Sequence, residues 1–526
     1  MPTRGAWFLA LILGVTPLVA AAEKPLSAID WLSKSIGSDQ PMVAPVETNG
    51  SQANLPPVKG EASVSSDTLP DPVATSVLGG PSLDAAGLLP PNVTGLPRDL
   101  WGIGRSVDIA GLIATVGQGD VPALQSQLMS LLLAEAAPPV DAAGNGALLL
   151  ARIDRLLEMG ALDQAQALIE DAGANASPEL FRRSFDVGLL TGQEDAACEV
   201  LKTTPGLAPT VTTRVFCLAR SGDWNAAALT LRTAQALGNV SETDNQLLTR
   251  FLDPGLFDDD KLPPPPSPIT PLIWRIYDAL GEPLPTATLP PAFAHAELSE
   301  NAGWKAQIEA AERLERAGVI SPNVLLGLYT SRAPAASGGV WDRADAFQRF
   351  DAALSKGDVT AIEQRLPLAY ARMMDVELEV PFATLFAEEL ATYQLKGDAA
   401  RIAFELGLLS PAYERLGKTA PLAADARSTF LVGLVNGSVD GLVAPDSMAR
   451  AIAPAFSDPV YAADIQTLVD QRRIGEAILT AISLVDQGLV GDTAKVSQGL
   501  AALRLLGLED CARRTALQLM ILERRG

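Results

Sequence analysis

At 526 residues the chain is long enough for two or three domains with large cores. Hydrophobic residues make up 48% of it and aromatic residues only 5%; aromatic and β-branched enrichment marks strands, so a balance dominated by Ala and Leu favours helices. The formal net charge of -22 repels nucleic acid and anionic lipid, and solubility is its plainest explanation.

The expected elements begin with an export signal over residues 1–22. Arg4 supplies the positive start, Trp7 to Val15 is an apolar run short of a membrane span, and Val19-Ala20-Ala21-Ala22 offers the small residues a signal peptidase needs. Cleavage is expected after Ala22, and the alternative is an uncleaved anchor. No later stretch is long and apolar enough for a membrane helix, which makes the periplasm the expected compartment and secretion the alternative. Residues 23–95 then read as one short amphipathic helix followed by a linker. Ile29, Leu32 and Ile36 share a face of the Leu26–Ile36 piece. The Pro-, Ser-, Gly- and Thr-rich stretch behind it cannot bury enough apolar surface to offset its ordering entropy. Trp31 and Leu32 on that helix, and Trp101 where order begins, are the candidate partner contacts, since aromatic anchors dominate interfaces; core packing is the alternative for Trp101, more so than for Trp31.

Residues 96–257 form the first ordered block, with helical patterns at Val121 to Ala136 and Gly146 to Met159. Within it a phrase recurs: Gly, then Asp or Asn three residues on, then Ala two further. Gly160, Asp163 and Ala165 make the first copy; Gly192, Asp195 and Ala197 the second; Gly222, Asn225 and Ala227 the third; Gly507, Asp510 and Ala512 an isolated fourth near the end of the chain. The first three copies follow one another at the spacing of a stacked helical hairpin. The Gly suits the left-handed end of one helix. The Asp or Asn caps the next helix or sits in its first turn, and the Ala lets two helices approach closely.

Cys198 and Cys217 lie on neighbouring expected helices. In an oxidising compartment they either pair, adding about 3 kcal/mol on the chain-entropy estimate, or serve as two small buried apolar residues. Cys511 is expected in a helix core. Residues 258–291 read as a connector: Asp258-Asp259-Asp260 leads into four consecutive prolines, which favour polyproline II, with one helix at Leu272 to Leu280. Residues 292–526 are helical again, with periodic segments at Ala302–Ala317, Ala344–Lys356, Leu366–Val376, Phe382–Leu395, Ile474–Gln487 and Asp510–Arg525. Gly-Asp turns recur at Gly357 and Gly397, and no strand-like block stands out.

Signs of chemistry are sparse. His295 is the single His and reads as a surface residue after prolines. The chain holds no Gly-x-Ser-x-Gly elbow, no Ser-x-x-Lys, no phosphate loop, no His-Glu-x-x-His and no Cys-x-x-Cys pair. Gly102-Ile103-Gly104 follows no strand, and the adjacent acids Glu388-Glu389 are common on helix surfaces. The expectation is no catalytic residue, no cofactor and no metal site.

Gly222-Asp223-Trp224-Asn225-Ala226-Ala227 resembles the Gly-Asp-Tyr-x-x-Ala turn of tetratricopeptide repeats, with Gly160–Ala165 and Gly192–Ala197 as weaker copies. The likeness covers about Leu148 to Gly238, and beyond it only echoes remain. Spacings differ from the family's own, few of its aromatic positions are present, and no clamp residues transfer. The expected fold class is all-α: a TPR-like helical-hairpin solenoid in two halves, as the resemblance implies, with a concave face for a protein or peptide, behind an N-terminal tether that composition marks as disordered. The layout is similar to exported scaffolds of bacterial envelope machines, including flagellar-motor accessory proteins. The expected function is a non-enzymatic periplasmic scaffold or adaptor for an envelope protein partner. The alternatives are a peptidoglycan enzyme, or its regulator, with a solenoid positioning domain, and a self-associating spacer.

Overall fold

A computed structural model describes residues 82–117, 121–142, 144–257, 262–418 and 425–522. The export signal, Trp31, Leu32, the Asp258–Asp260 run and Arg524-Arg525 lie outside the described residues. What is described belongs to one compact unit and is all-α. Among the described residues there is no strand, and extended backbone pairs once, in a parallel bridge between Leu89 and Ala134.

The helices follow in chain order as α1 (Ser106–Thr115), α2 (Pro122–Leu133), α3 (Ala147–Met159), α4 (Leu162–Ala172), α5 (Pro178–Thr191), α6 (Glu194–Thr203), α7 (Val211–Arg220), α8 (Trp224–Ala236), α9 (Glu242–Leu252) and α10 (Pro271–Ala279). A 3-10 passage, Pro291–Leu298, leads into α11 (Trp304–Arg316), α12 (Pro322–Thr330), α13 (Val340–Ser355), α14 (Val359–Met374), α15 (Glu379–Leu390) and α16 (Gly397–Leu409). The last group is α17 (Tyr413–Lys418), α18 (Ala426–Asn436), α19 (Ser447–Ile452), α20 (Ala463–Asp470), α21 (Ile474–Val490), α22 (Ala494–Leu505) and α23 (Glu509–Ile521).

Local chemistry explains several of the boundaries. Ser177 accepts a hydrogen bond from the Leu180 amide and Pro178 occupies the first position of α5, where its missing N–H costs nothing. Asp358 caps α14 through the Ala361 amide. The helix expected from Leu366 therefore starts two turns earlier, and Pro367 lies inside it. The helix survives its proline because Ile362, Leu366, Ala369, Tyr370 and Met373 are all buried along it. Gly357 ends α13 as a hairpin turn, whereas Gly397 opens α16 instead of ending a helix.

Apolar packing partitions the chain in an order that local pattern does not display. One core runs from Leu96 to Leu180 and resumes at Ala294 to reach Leu522. Phe181 to Tyr277 build a second core. A small cluster of Leu162, Val187, Leu190, Trp274, Ala292 and Phe293 lies at their junction.

The helix succession returns to its start. α23 packs on α2, and α21 packs on α1. The Gln518 side chain on α23 accepts a 2.8 Å hydrogen bond from the Ala123 amide, so it caps an orphan donor in the first turn of α2. The Gly475 amide on α21 donates to the Leu100 carbonyl at 2.8 Å. Trp101, only 2% exposed, packs against Gly475, where an added Cβ would fall 2.4 Å from its ring. Arg152 anchors the first described residues. It is fully buried and donates to the carbonyls of Leu132 and Ala86 at 2.7 Å and of Ala134 at 3.0 Å. Buried Asp84 accepts from the Leu149 amide at 2.8 Å.

Candidate binding cleft

All four copies of the recurring phrase stand at helix-helix turns. Gly160, Gly192, Gly222 and Gly507 have φ of +84°, +74°, +83° and +79°, a region where only glycine avoids a Cβ penalty. Asp163, Asp195, Asn225 and Asp510 fall in the first turns of α4, α6, α8 and α23. The cap of α8 is Asp223, which accepts from the Ala226 amide at 3.0 Å, so Asn225 does not cap. Ala165, Ala227 and Ala512 are fully buried, and Ala197 is half-buried.

The sulfurs of Cys198 and Cys217 are bonded, joining α6 to α7 with Cα atoms 5.0 Å apart. Cys511 is buried, and burial pushes its thiol up to about 12. Trp101 requires a correction: it was expected to offer itself to a partner, but its ring is covered by Gly475 and the main core, which leaves no face to bind. His295 also differs from its expected surface position. The Pro291–Leu298 passage crosses the Gly160 turn, where a Cβ would fall 3.1 Å from Pro291 Cβ. The missing side chain admits the passage, and His295 donates Nε2–H to the Gly160 carbonyl at 2.7 Å. A carbonyl only accepts, so the ring hydrogen is on Nε2. Burial holds the imidazole below its ordinary pKa, with the Gly160 bond and Asp163 acting the other way.

Beside His295 opens a cleft of about 740 Å³, within the range of ligand pockets. Its walls are the C-terminal end of α5 with Gly192, the end of α10, and residues 295–306. One repeat turn thus lines the cleft through Gly192, and the Gly160 turn holds the lining residue His295 from behind. Trp274 is fixed by its indole Nε1–H, which donates to the Leu284 carbonyl at 3.0 Å. Arg275 donates to Glu194 Oε1 through Nε and Nη2, at 3.1 and 2.8 Å, and to Asp278 Oδ2 through Nη1 at 2.9 Å. Glu194 is completely buried; Arg220 lies 3.3 Å from the same Oε1, and Oε2 accepts no hydrogen bond.

Sequence reasoning singled out none of Glu194, Trp274, Arg275, Asp278 and Glu297 as site residues. They come from three separated segments, and only Glu194 carries any signal, as the residue preceding the repeat's Asp195. Among the described residues no cluster of His, Cys, Asp and Glu is arranged to hold a metal ion, and no helix is long and apolar enough to cross a membrane. The chain matches no family model, no curated protein and no solved structure.

Proposed function

We propose that this chain is a non-enzymatic scaffold or adaptor, exported to the bacterial periplasm, that holds a protein partner on a TPR-like helical-repeat surface. Within that class the reading points to an accessory of an envelope machine such as the flagellar motor. The observation that carries it is the cleft beside His295, lined by the Gly192 repeat turn and by helix ends. Apolar walls with a few fixed polar groups are the composition that recognises another molecule, and stacked hairpins commonly serve as such surfaces.

The test is affinity capture from bacterial envelope extract, with the mature chain and with a form lacking the tether. A protein retained in stoichiometric amount by both forms is the expected result. Retention of nothing by either form contradicts the proposal.

A further inference from the structure

The cleft is lined by several acceptors, beside the donor-bearing Ser299 and Asn301 and the N-terminal end of α11 at Gly303. His295 spends Nε2–H on the Gly160 carbonyl, so Nδ1 offers only a lone pair. Asp278 and Glu297 bring carboxylates to the lining. The last turn of α5, Leu189 to Thr191, lines it as well, and the final carbonyls of a helix carry partial negative charge that favours a cation.

Among the described lining residues Arg275 is the one cation, and it is committed to Glu194 and Asp278. Arg220 is likewise shared between Glu194 and Asp195. On the lining itself the carboxylates of Asp278 and Glu297 outnumber the one guanidinium of Arg275; Arg313, whose charge acts on Glu297, stands off the lining and donates to the Thr286 and Leu289 carbonyls. The rest of the lining mixes Thr191, Ser299 and Asn301 with an apolar part that includes Leu190, Trp274, Leu284 and Ala302.

On the reading that the chain binds a protein partner, we propose that the cleft takes a lysine or arginine side chain of that partner, carried between apolar residues. The aliphatic stem of such a side chain lies along the apolar wall while its charged head reaches the acceptors. A carboxylate in the same place would meet Asp278 and Glu297 as like charges.

The experiment titrates the full mature chain, by calorimetry and tryptophan fluorescence, with two blocked peptides: one of alternating leucine and lysine, the other of alternating leucine and glutamate. The lysine peptide is expected to bind at least about tenfold more tightly, and Asp278→Asn combined with Glu297→Gln to remove most of that preference. Circular dichroism of the double variant confirms that it is folded. Equal binding of the two peptides overturns the proposal, as does binding of neither. Saturation by a free alkyl diamine at the same affinity also overturns it, by assigning the cleft to a small amine. Capture from envelope extract separates the two levels: a double variant that still retains the partner sinks the cleft assignment and leaves the scaffold reading standing.

Discussion

Glu315 offers a quantitative test of how the main core is assembled. It lies on α11, only 6% exposed, and its Oε2 accepts no hydrogen bond. Burial alone lifts its pKa from the ordinary 4.5 to about 8. A carboxyl raised in the folded state contributes stability that is fully present below its unfolded pKa and is lost as pH rises through the folded value. The loss therefore runs from about pH 4.5 to about pH 8. At about 1.4 kcal/mol per pKa unit the ceiling is roughly 5 kcal/mol, and relaxation and water entry reduce it to an expected 2–3 kcal/mol between pH 5 and pH 8. Glu315→Gln keeps the shape and removes the titration. Urea unfolding at pH 5 and pH 8 is followed by tryptophan fluorescence, to which Trp304, at the start of α11 and with its ring 5.2 Å from that of Trp341, contributes. The wild type is expected to lose that much more stability than the variant over this interval. Parallel pH profiles for the two proteins would refute the reasoning.

Removing the disulfide with Cys198→Ala and Cys217→Ala frees a loop of sequence separation 19, which the chain-entropy model values at about 3 kcal/mol. Hydrogen exchange should speed up across α6 to α9, and unchanged protection there contradicts the assignment of a separate core to Phe181–Tyr277. Arg152→Met leaves the carbonyls of Leu132, Ala86 and Ala134 without their donor. The expected cost is about 3–5 kcal/mol, with residues 82–89 becoming protease-sensitive; a loss below about 1 kcal/mol counts against the anchor. Gly475→Ala forces its Cβ into the Trp101 ring and should cost about 1–3 kcal/mol. In a Trp101→Ala background the same change should cost much less; additive effects would show that the two do not pack as described.

The sequence revealed those parts of the fold that depend on short-range chemistry. Low aromatic content pointed to helices, and the Gly-to-Ala phrase located four hairpin turns to the residue. It missed turns of the same kind built without glycine. Glu377 and Arg472 hold φ of 60° and 56°, and Ala477, five residues beyond Arg472, is buried as Ala165 is. A rule keyed to glycine passes over both. The return of α23 to α2 left no local trace, since a Gln at 518 becomes a cap only when the Ala123 amide is brought to it. The same holds for the cleft. Nothing near Asp278 or Glu297 in sequence marks them as neighbours of Gly192; the meeting is made by α10 packing on α5 and by the 291–298 passage packing on α3 and α5.

Site-directed photo-cross-linking in the intact envelope tests the central claim most directly. A photoreactive side chain placed at Asn301, on the cleft lining, should join the chain to one discrete protein. The same group at Val443, which is 74% exposed and not among the lining residues, should not. Labelling of one protein from Asn301 alone is the outcome the account predicts. No adduct from Asn301, or the same adducts from both positions, would contradict it.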